Sequence, residues 1–422
     1  WYPSLADRVD SVVDDIEKAH GWTSDQVVSG GRHAVAHALE EEVATLQRPS
    51  VGWREWVDRF LLHPWTGGPL MVLILGGLFW MVFGVGQRLE VPLVALFERV
   101  STGLASALPP DSLVGTVANG VMMGLAGGVA IVLPYLVPFL IGLAILEDTG
   151  YLPRMAYILD NFMHRIGLHG KSVLPLVLGY GCSVPAIMST RILESKRDRR
   201  ITGALASFIP CSARTVVIFG LVAAYMGPWW AMGIYLLNIV VVVILGTVFG
   251  RRMKGSSPGL ILEIPELSVP SVKTLLAKTW LTLREFVTIA WPLLIASSVV
   301  LGLLEWARAD GTINAMLAPL TVWLLGLPAA VGMTLVFGVL RKELTMVMLV
   351  QALGTTHIDT VMSTAQLLTF TLFVVFYLPC VATVAVLGRE MGWSDTAWIA
   401  GLTIAVATVV ALAGRIGFAI FA

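Results

Sequence analysis

Residues 201–225 read ITGALASFIPCSARTVVIFGLVAAY, an apolar stretch of membrane-crossing length interrupted in its middle by Ile209-Pro210-Cys211. Crossing a bilayer takes about 20 apolar residues. A proline inside such a span removes one backbone donor and frees the carbonyl four residues earlier. Leu378-Pro379-Cys380 repeats the device in a second apolar stretch, and Cys182 follows Gly179-Tyr180-Gly181 and precedes Pro185. These are the three cysteines of the chain. A buried cysteine is commonly no more than a small hydrophobe. What distinguishes these is that each adjoins a proline or glycine break, which puts a soft metal ligand beside unpaired carbonyl oxygens. The pattern describes a polar path through a membrane.

Composition agrees. Hydrophobic residues make up 56% of the chain and charged residues 13%, against about 25% charged in soluble domains. The chain is therefore expected to be an all-α, polytopic integral membrane protein. A formal charge of +0 argues against a nucleic-acid partner, since no basic surface is available to neutralise phosphates. Three cysteines in apolar stretches make no disulfide framework. The chain opens at Trp1 with neither Met nor a positive-then-apolar leader, so its numbering is expected to begin inside a longer protein.

The organisation predicted from the sequence has five parts. Residues 1–60 carry acidic runs such as Asp14-Asp15 and Glu40-Glu41-Glu42 and are expected to be a cytosolic helical spacer. It ends in an interfacial helix over Trp53–His63, with Trp53, Trp56, Val57, Phe60 and Leu61 on one face. Residues 61–120 supply a first transmembrane helix and an interfacial connection, 121–250 a first gate-like repeat, 251–285 a cytoplasmic connection, and 286–422 a second repeat. Candidate spans are 68–86, 121–146, 201–225, 229–250, 286–304, 365–388 and 397–420. Two more apolar stretches are interrupted: 172–190 by Gly179, Gly181 and Pro185, and 328–350 by Gly338 and Arg341-Lys342-Glu343. The total is seven to nine transmembrane helices. The connections 87–112, 151–170 and 306–327 read as amphipathic and interfacial.

Basic residues orient the chain. Arg191, Lys196, Arg197, Arg199 and Arg200 form one cluster, and Arg251, Arg252 and Lys254 another; both are expected to be cytoplasmic. With residues 1–60 on the same side, the stretch 172–190 must enter and leave by one face, a re-entrant path that its glycine break makes physically reasonable. A shift of 158 residues places Val129 on Val287, Ile131 on Ile289, Pro134 on Pro292 and Glu147 on Glu305. With one residue inserted, Gly179 falls on Gly338; farther on, Pro210-Cys211 and Ala213 match Pro379-Cys380 and Ala382. Three crossings between the starts of the two copies invert one relative to the other. Inverted repeats with broken helices meeting at the midplane are the architecture of many secondary transporters.

Other polar groups are candidates of lesser weight. Glu147 and Asp148 close a span and are either solvated at the interface or an acidic vestibule for divalent cations. Arg341 and Glu343 lie deep in an apolar run, where charge is costly, and are expected to pair with each other or with Glu147 as a gate. Ser212 and Arg214 follow Cys211; an arginine there requires a water-lined cavity or a partner. Met188, Met346 and Met348 read as packing. His33 and His37 have metal-ligand spacing but lie in the polar segment and lack the glutamate of a zinc protease. Gly170-Lys171-Ser172 resembles the end of a phosphate-binding loop, yet the glycine needed five residues earlier is Arg165. No nucleotide site is expected in this chain. Nor does any span carry a Ser-His pair, a paired-aspartate motif or a metalloprotease helix, so a transporter is expected and an enzyme is not.

The stretch Gly179-Tyr-Gly-Cys-Ser-Val-Pro-Ala-Ile-Met-Ser-Thr-Arg191 followed by Pro210-Cys-Ser-Ala-Arg214 resembles the ferrous iron transport protein B (FeoB) family. So do Leu146-Glu-Asp-Thr-Gly-Tyr-Leu-Pro-Arg154, Leu340-Arg-Lys-Glu343 and Tyr377-Leu-Pro-Cys380. The resemblance covers nearly all of residues 58–420. It implies two gate repeats and Fe2+ as the transported substrate, taken up across the bacterial inner membrane by a multi-pass protein. It also implies Cys182, Cys211 and Cys380 as ligands along the way, to which the residue reading adds Glu147 as an outer or vestibule ligand. Gly179, Gly181, Pro185, Pro210, Ser212, Arg214, Gly338, Arg341, Glu343 and Pro379 would form the gate and its lining. Partners implied are membrane lipid, a GTP-binding domain of which at most the spacer's tail falls within residues 1–50, and a small cytosolic accessory protein; a homo-oligomer is a further alternative that the sequence leaves open. Carriers of another divalent metal, or of an organic solute such as a nucleoside, are the rival readings.

Overall fold

The computed structural model describes residues 3–43, 53–107, 112–168, 170–253, 267–355 and 358–421. Among these the regular structure is helical throughout. Lys254 of the second basic cluster lies outside the described residues. The chain divides into two units, Trp1–Trp56 and Val57–Ala422. The first holds α1 (Pro3–His20) and α2 (Ser24–Val43), whose acidic and polar faces suit water. α3 (Trp53–Leu62) ends where Pro64 opens α4 (Pro64–Ala107), as proline does at a helix start.

Seven stretches among the described residues are long and apolar enough to cross a membrane: Trp65–Gly103, Leu113–Asp148, Lys196–Met226, Pro228–Arg252, Val272–Leu304, Thr364–Met391 and Trp393–Phe418. α4 differs from expectation. It continues as helix through the polar run Gln87-Arg88-Leu89-Glu90, so much of the interfacial connection expected at 87–112 belongs to one 44-residue helix. At 1.5 Å per residue it is about 66 Å long, more than a bilayer's hydrocarbon core.

The first repeat begins with α5 (Leu113–Ala126) and α6 (Leu133–Asp148), fused through a π-helical turn at Gly127–Val132. The second begins with α14 (Val272–Glu285) and α15 (Trp291–Trp306), fused through a π turn at Phe286–Ala290. The same irregularity thus recurs at repeat-related positions. α5 and α15 pack antiparallel, as an inverted relation requires. Gly120 faces Val299 and Gly124 faces Ile295, where an added Cβ would stand 2.8 Å and 2.6 Å from the opposing Cα atoms. Small residues at such positions let two backbones close up where lipid supplies no hydrophobic drive.

Between and after these helices the chain is repeatedly broken. α7 (Tyr151–Arg165) is amphipathic, burying Tyr151, Leu152, Met155 and Met163. α8 (Val173–Gly181) and α9 (Ser183–Ser189) flank Cys182, and α10 (Lys196–Phe208) and α11 (Ser212–Val217) flank Ile209-Pro210-Cys211. A π turn and the single-turn α12 (Ala224–Met226) lead to α13 (Pro228–Arg252). In the second half α16 (Asp310–Ala318) precedes α17 (Val331–Leu340) and α18 (Thr345–Leu353), which flank Arg341-Lys342-Glu343. α19 (Thr364–Phe376) and α20 (Val381–Met391) flank Tyr377-Leu378-Pro379-Cys380, and α21 (Trp393–Phe421) closes the chain.

α10 and α19 are the centre of the bundle. Every residue from Ile201 to Phe208 and from Leu367 to Phe376 is buried, which is why those two stretches carry no charged residue. Around one end of the bundle runs a belt of ion pairs. Lys278 binds Glu147 at 3.0 Å and Asp148 at 2.6 Å, and farther along α14 Glu285 approaches Arg191 at 3.6 Å. Arg191 also donates to both carboxylate oxygens of Glu390; that bond holds its guanidinium pKa above the ordinary arginine range. Arg200 binds Asp395 at 2.5 Å. The basic cluster 191–200 and Glu147 therefore share one end of the bundle.

Replacing Gly124 with Leu forces α5 and α15 apart and is expected to destabilise the fold by about 1–3 kcal/mol. The check is thermal unfolding in detergent against Gly77→Leu, whose Cβ would meet nothing within 4 Å and which should melt with the wild type.

Candidate functional site

The four breaks converge. Cys182 leaves the helix with φ −151° and ψ 133°, and Arg341, which the repeat shift of 159 residues places on it, does the same with φ −144° and ψ 95°. Cys211 and Cys380 are likewise extended before α11 and α20. Glycines permit the approach: an added Cβ at Gly181 would enter the Phe139 ring, at Gly179 it would lie 3.2 Å from the Ile209 side chain, and at Gly338 it would collide with the Tyr377 hydroxyl.

Cys182, Cys211 and Cys380 line one cavity of about 90 Å³. Gly181, Ser212, Arg214, Lys342, Pro379 and Thr383 complete its polar and backbone wall, and Val132 and Phe286 bring to it the two repeat-related π turns. None of the cysteines is in a disulfide. The Cys380 sulfur lies 3.1 Å from the Thr383 hydroxyl. No three His, Cys, Asp or Glu side chains among the described residues stand close enough to hold a metal ion, so the thiols border a shared space without forming a preassembled chelate.

Several of the carbonyls that a broken span would leave open are taken by Arg214. Fully buried, it donates through Nη1 to Ser207 O at 2.8 Å and Ile209 O at 3.0 Å, and through Nη2 to Tyr377 O at 2.9 Å. One guanidinium thus ties two carbonyls of the Pro210 break to one of the Pro379 break in the other repeat, while Asn238 Nδ2 donates to the intervening Phe208 O at 2.9 Å. Five donors in a rigid plane can span such a gap, where a single ammonium cannot. Arg214 therefore acts as structural glue here, and fewer carbonyls remain for an ion than the sequence suggested.

Lys342 is the second buried basic residue bordering this cavity. It lines the cavity, its Nζ has no hydrogen-bond partner among the described residues, and it stands 4.3 Å from the centre of the Tyr377 ring. Such a cation–π contact is worth a few kcal/mol at most when desolvated. No carboxylate lines this cavity among the described residues. Negative charge there must come from thiols that lose their protons, as they do when they bind a metal.

The remaining candidates are distributed around this centre. Arg341 donates to Met123 O at 3.0 Å and to the Ser298 hydroxyl at 3.4 Å, its guanidinium filling the space that a side chain at Gly127 would need. Pro185 is buried within α9, and Pro210 shapes its break. Glu147 is bound by Lys278 at the ion-pair belt and does not line the cavity. The side chains of Glu343 and Glu305 lie outside the described residues. Met188 packs in the core near Cys182.

Three groups escaped the sequence reading. Lys342 stood inside a charged run but was weighed only through its neighbours. Tyr377, in Tyr377-Leu-Pro-Cys380, was quoted as part of a motif without a role; its hydroxyl donates to Leu335 O at 3.1 Å. Glu90 was hidden in a polar run assigned to a loop. It lines a second cavity of about 270 Å³ that also reaches Cys182 and Ser212.

Comparison with known proteins bears on what such a site is for. Residues 129–225 match the Gate family, described as nucleoside recognition, and residues 231–281 match the ferrous iron transport protein B C terminus family. The chain is 27% identical over 432 residues to the Fe(2+) transporter FeoB of Methanocaldococcus jannaschii, covering 96% of this chain and 64% of that one. It is 30% identical over 415 residues to the Fe(2+) transporter FeoB of Synechocystis sp., covering 92% and 66%. A Porphyromonas gingivalis Fe(2+) transport protein A/Fe(2+) transporter FeoB fusion protein is 28% identical over 288 residues, 67% of this chain and 34% of that one. The chain thus spans slightly under two thirds of the length of these two transporters. No solved structure matches it.

Removing the Arg214 guanidinium orphans three buried carbonyls at about 1–3 kcal/mol each. Arg214→Gln is expected to lower the thermal midpoint in detergent sharply, and Arg214→Lys is expected to recover only part of it. A midpoint for Arg214→Gln equal to wild type would remove the bridging role.

Proposed function

The chain is a membrane domain of the FeoB family, and on that premise we propose that it carries Fe2+ across the bacterial inner membrane through the space bordered by Cys182, Cys211 and Cys380. The observation that carries the reading is the convergence of three sulfurs from two inverted repeats on one small cavity. A partly dehydrated ion would exchange water for thiolates, with Ser212 and Thr383 as hydroxyl neighbours. Rocking of one repeat against the other would alternate access. The membrane potential favours inward movement of two charges by about 4.6 kcal/mol per 100 mV, twice the single-charge value. Thiolates by themselves prefer Cu or Zn to Fe2+, so selection would rest on geometry, mixed ligands and metal supply.

The description of the Gate family makes a nucleoside the natural rival. Pockets for organic ligands run to about 300–1,000 Å³; the thiol cavity holds about 90 Å³ and the cavity adjoining it about 270 Å³, and the polar wall of the first is thiols, hydroxyls and basic side chains. Among the described residues, neither cavity is lined by an Asn or Gln side chain, which favours an ion over a nucleoside. The fusion of transport protein A to a relative supports a small accessory partner for this chain, and the family supports a GTP-binding domain acting with it.

The test is uptake of radiolabelled Fe2+ by iron-starved cells expressing the full-length protein at matched levels. Cys211→Ser, Cys182→Ser and Cys380→Ser are each expected to lower uptake by about tenfold or more, the scale of disturbing a metal's ligand set. Wild-type uptake in all three variants would overturn the ligand role.

A further inference from the structure

The cavity containing Glu90 raises a question the thiols do not answer: where a divalent cation first meets this protein. Glu90 is the only carboxylate among the described residues lining either cavity at the breaks. It sits within the apolar stretch Trp65–Gly103, where an ionisable side chain is retained at a cost. One side-chain hydrogen bond holds it in an otherwise largely apolar wall. Tyr135 of α6 donates its hydroxyl to Glu90 Oε2 at 2.5 Å. Gly86, one turn earlier on α4, leaves the room that the Tyr135 ring occupies. The single hydrogen bond leaves the other carboxylate oxygen available.

Position separates Glu90 from Glu147. α4 and α6 are antiparallel: Gly142 lies against Leu78, and Gly86 lies against Tyr135. In that register Glu147 is level with about residue 73, so Glu90 lies about 25 Å farther along α4 at 1.5 Å per residue. Glu147 shares its end of the bundle with the Arg191–Arg200 cluster, and that cluster marks the cytoplasmic side. Glu90 therefore lies in the half of the bundle away from that end, at about the depth of Val132, which borders both cavities. Its cavity and the thiol cavity share Gly181, Cys182 and Ser212 in their walls.

We propose that Glu90, held by Tyr135, is the external docking carboxylate at which a hydrated divalent cation is concentrated before it passes Cys182 into the thiol cavity. The role expected of Glu147 at the outer vestibule thus passes to Glu90. The proposal rests on the transport reading above, and its test separates the two.

The full-length protein is reconstituted anaerobically into liposomes enclosing a divalent-metal-sensitive dye, and flux is followed against external Fe2+. Glu90→Gln is expected to raise the half-saturating concentration about tenfold, the size of one partly exposed charge contact, with the maximal rate within about twofold. Glu90→Asp, which keeps the charge, is expected to stay close to wild type, while Cys211→Ser lowers the maximal rate instead. In a second measurement, Glu90→Cys is expected to react with a membrane-impermeant thiol reagent added from the external side and to be protected by Mn2+. An unchanged half-saturation in Glu90→Gln, or no external labelling of Glu90→Cys above the wild-type background, overturns the docking role while leaving transport intact. Absence of any metal-dependent dye response in the wild type overturns the transport reading, and the docking role falls with it.

Discussion

A backbone group stripped of its helical partner inside an apolar bundle must find another, and the bond that settles this here is the one Arg214 makes to both halves. Without Pro210 and Pro379 there would be no opening between the repeats; without the guanidinium, the opening would expose carbonyls to a medium that cannot solvate them. The fully buried arginine is in turn tolerated because three carbonyl oxygens surround it. Break and cation justify each other, and the thiols occupy the space that this arrangement keeps open.

The ion-pair belt and the glycine contacts deal with different parts of the same problem. Lys278 with Glu147 and Asp148, and Arg191 with Glu285 and Glu390, lie where charge meets water. There, individual pairs add little stability, but together they fix which end of the bundle is which. Gly120 and Gly124 act inside the apolar zone, bringing the leading helices of the two repeats within backbone contact. The cavity lies where neither device operates, bordered by residues that have left the helical ladder.

Much of this was legible in the sequence because it is written in periodicity and punctuation. Apolar runs of bilayer length located the spans, proline and glycine located the breaks, and matched spacings such as Pro134 with Pro292 exposed the duplication. What could not be read depended on distances across the bundle. Gln87-Arg88-Leu89-Glu90 looks like the end of a span, because local polarity does not reveal that α4 continues and that Tyr135 waits opposite. Glu147 looked like a cation ligand because nothing in its neighbourhood of sequence points to Lys278, 131 residues later. Arg214 looked in need of a carboxylate; its partners are main-chain oxygens, which every residue carries and no sequence advertises.

The matched breaks at Cys182 and Arg341 keep the same backbone course but present opposite chemistry, a sulfur in one copy and a guanidinium in the other. An ideal pair of inverted halves would offer a traveller the same scenery from either direction. Here the duplicated frame has been furnished unequally, so the journey inward and the journey outward pass different groups in a different order. Unequal walls decide which groups are met first from each side, while the net direction of any passage is left to the gradient or potential that drives it.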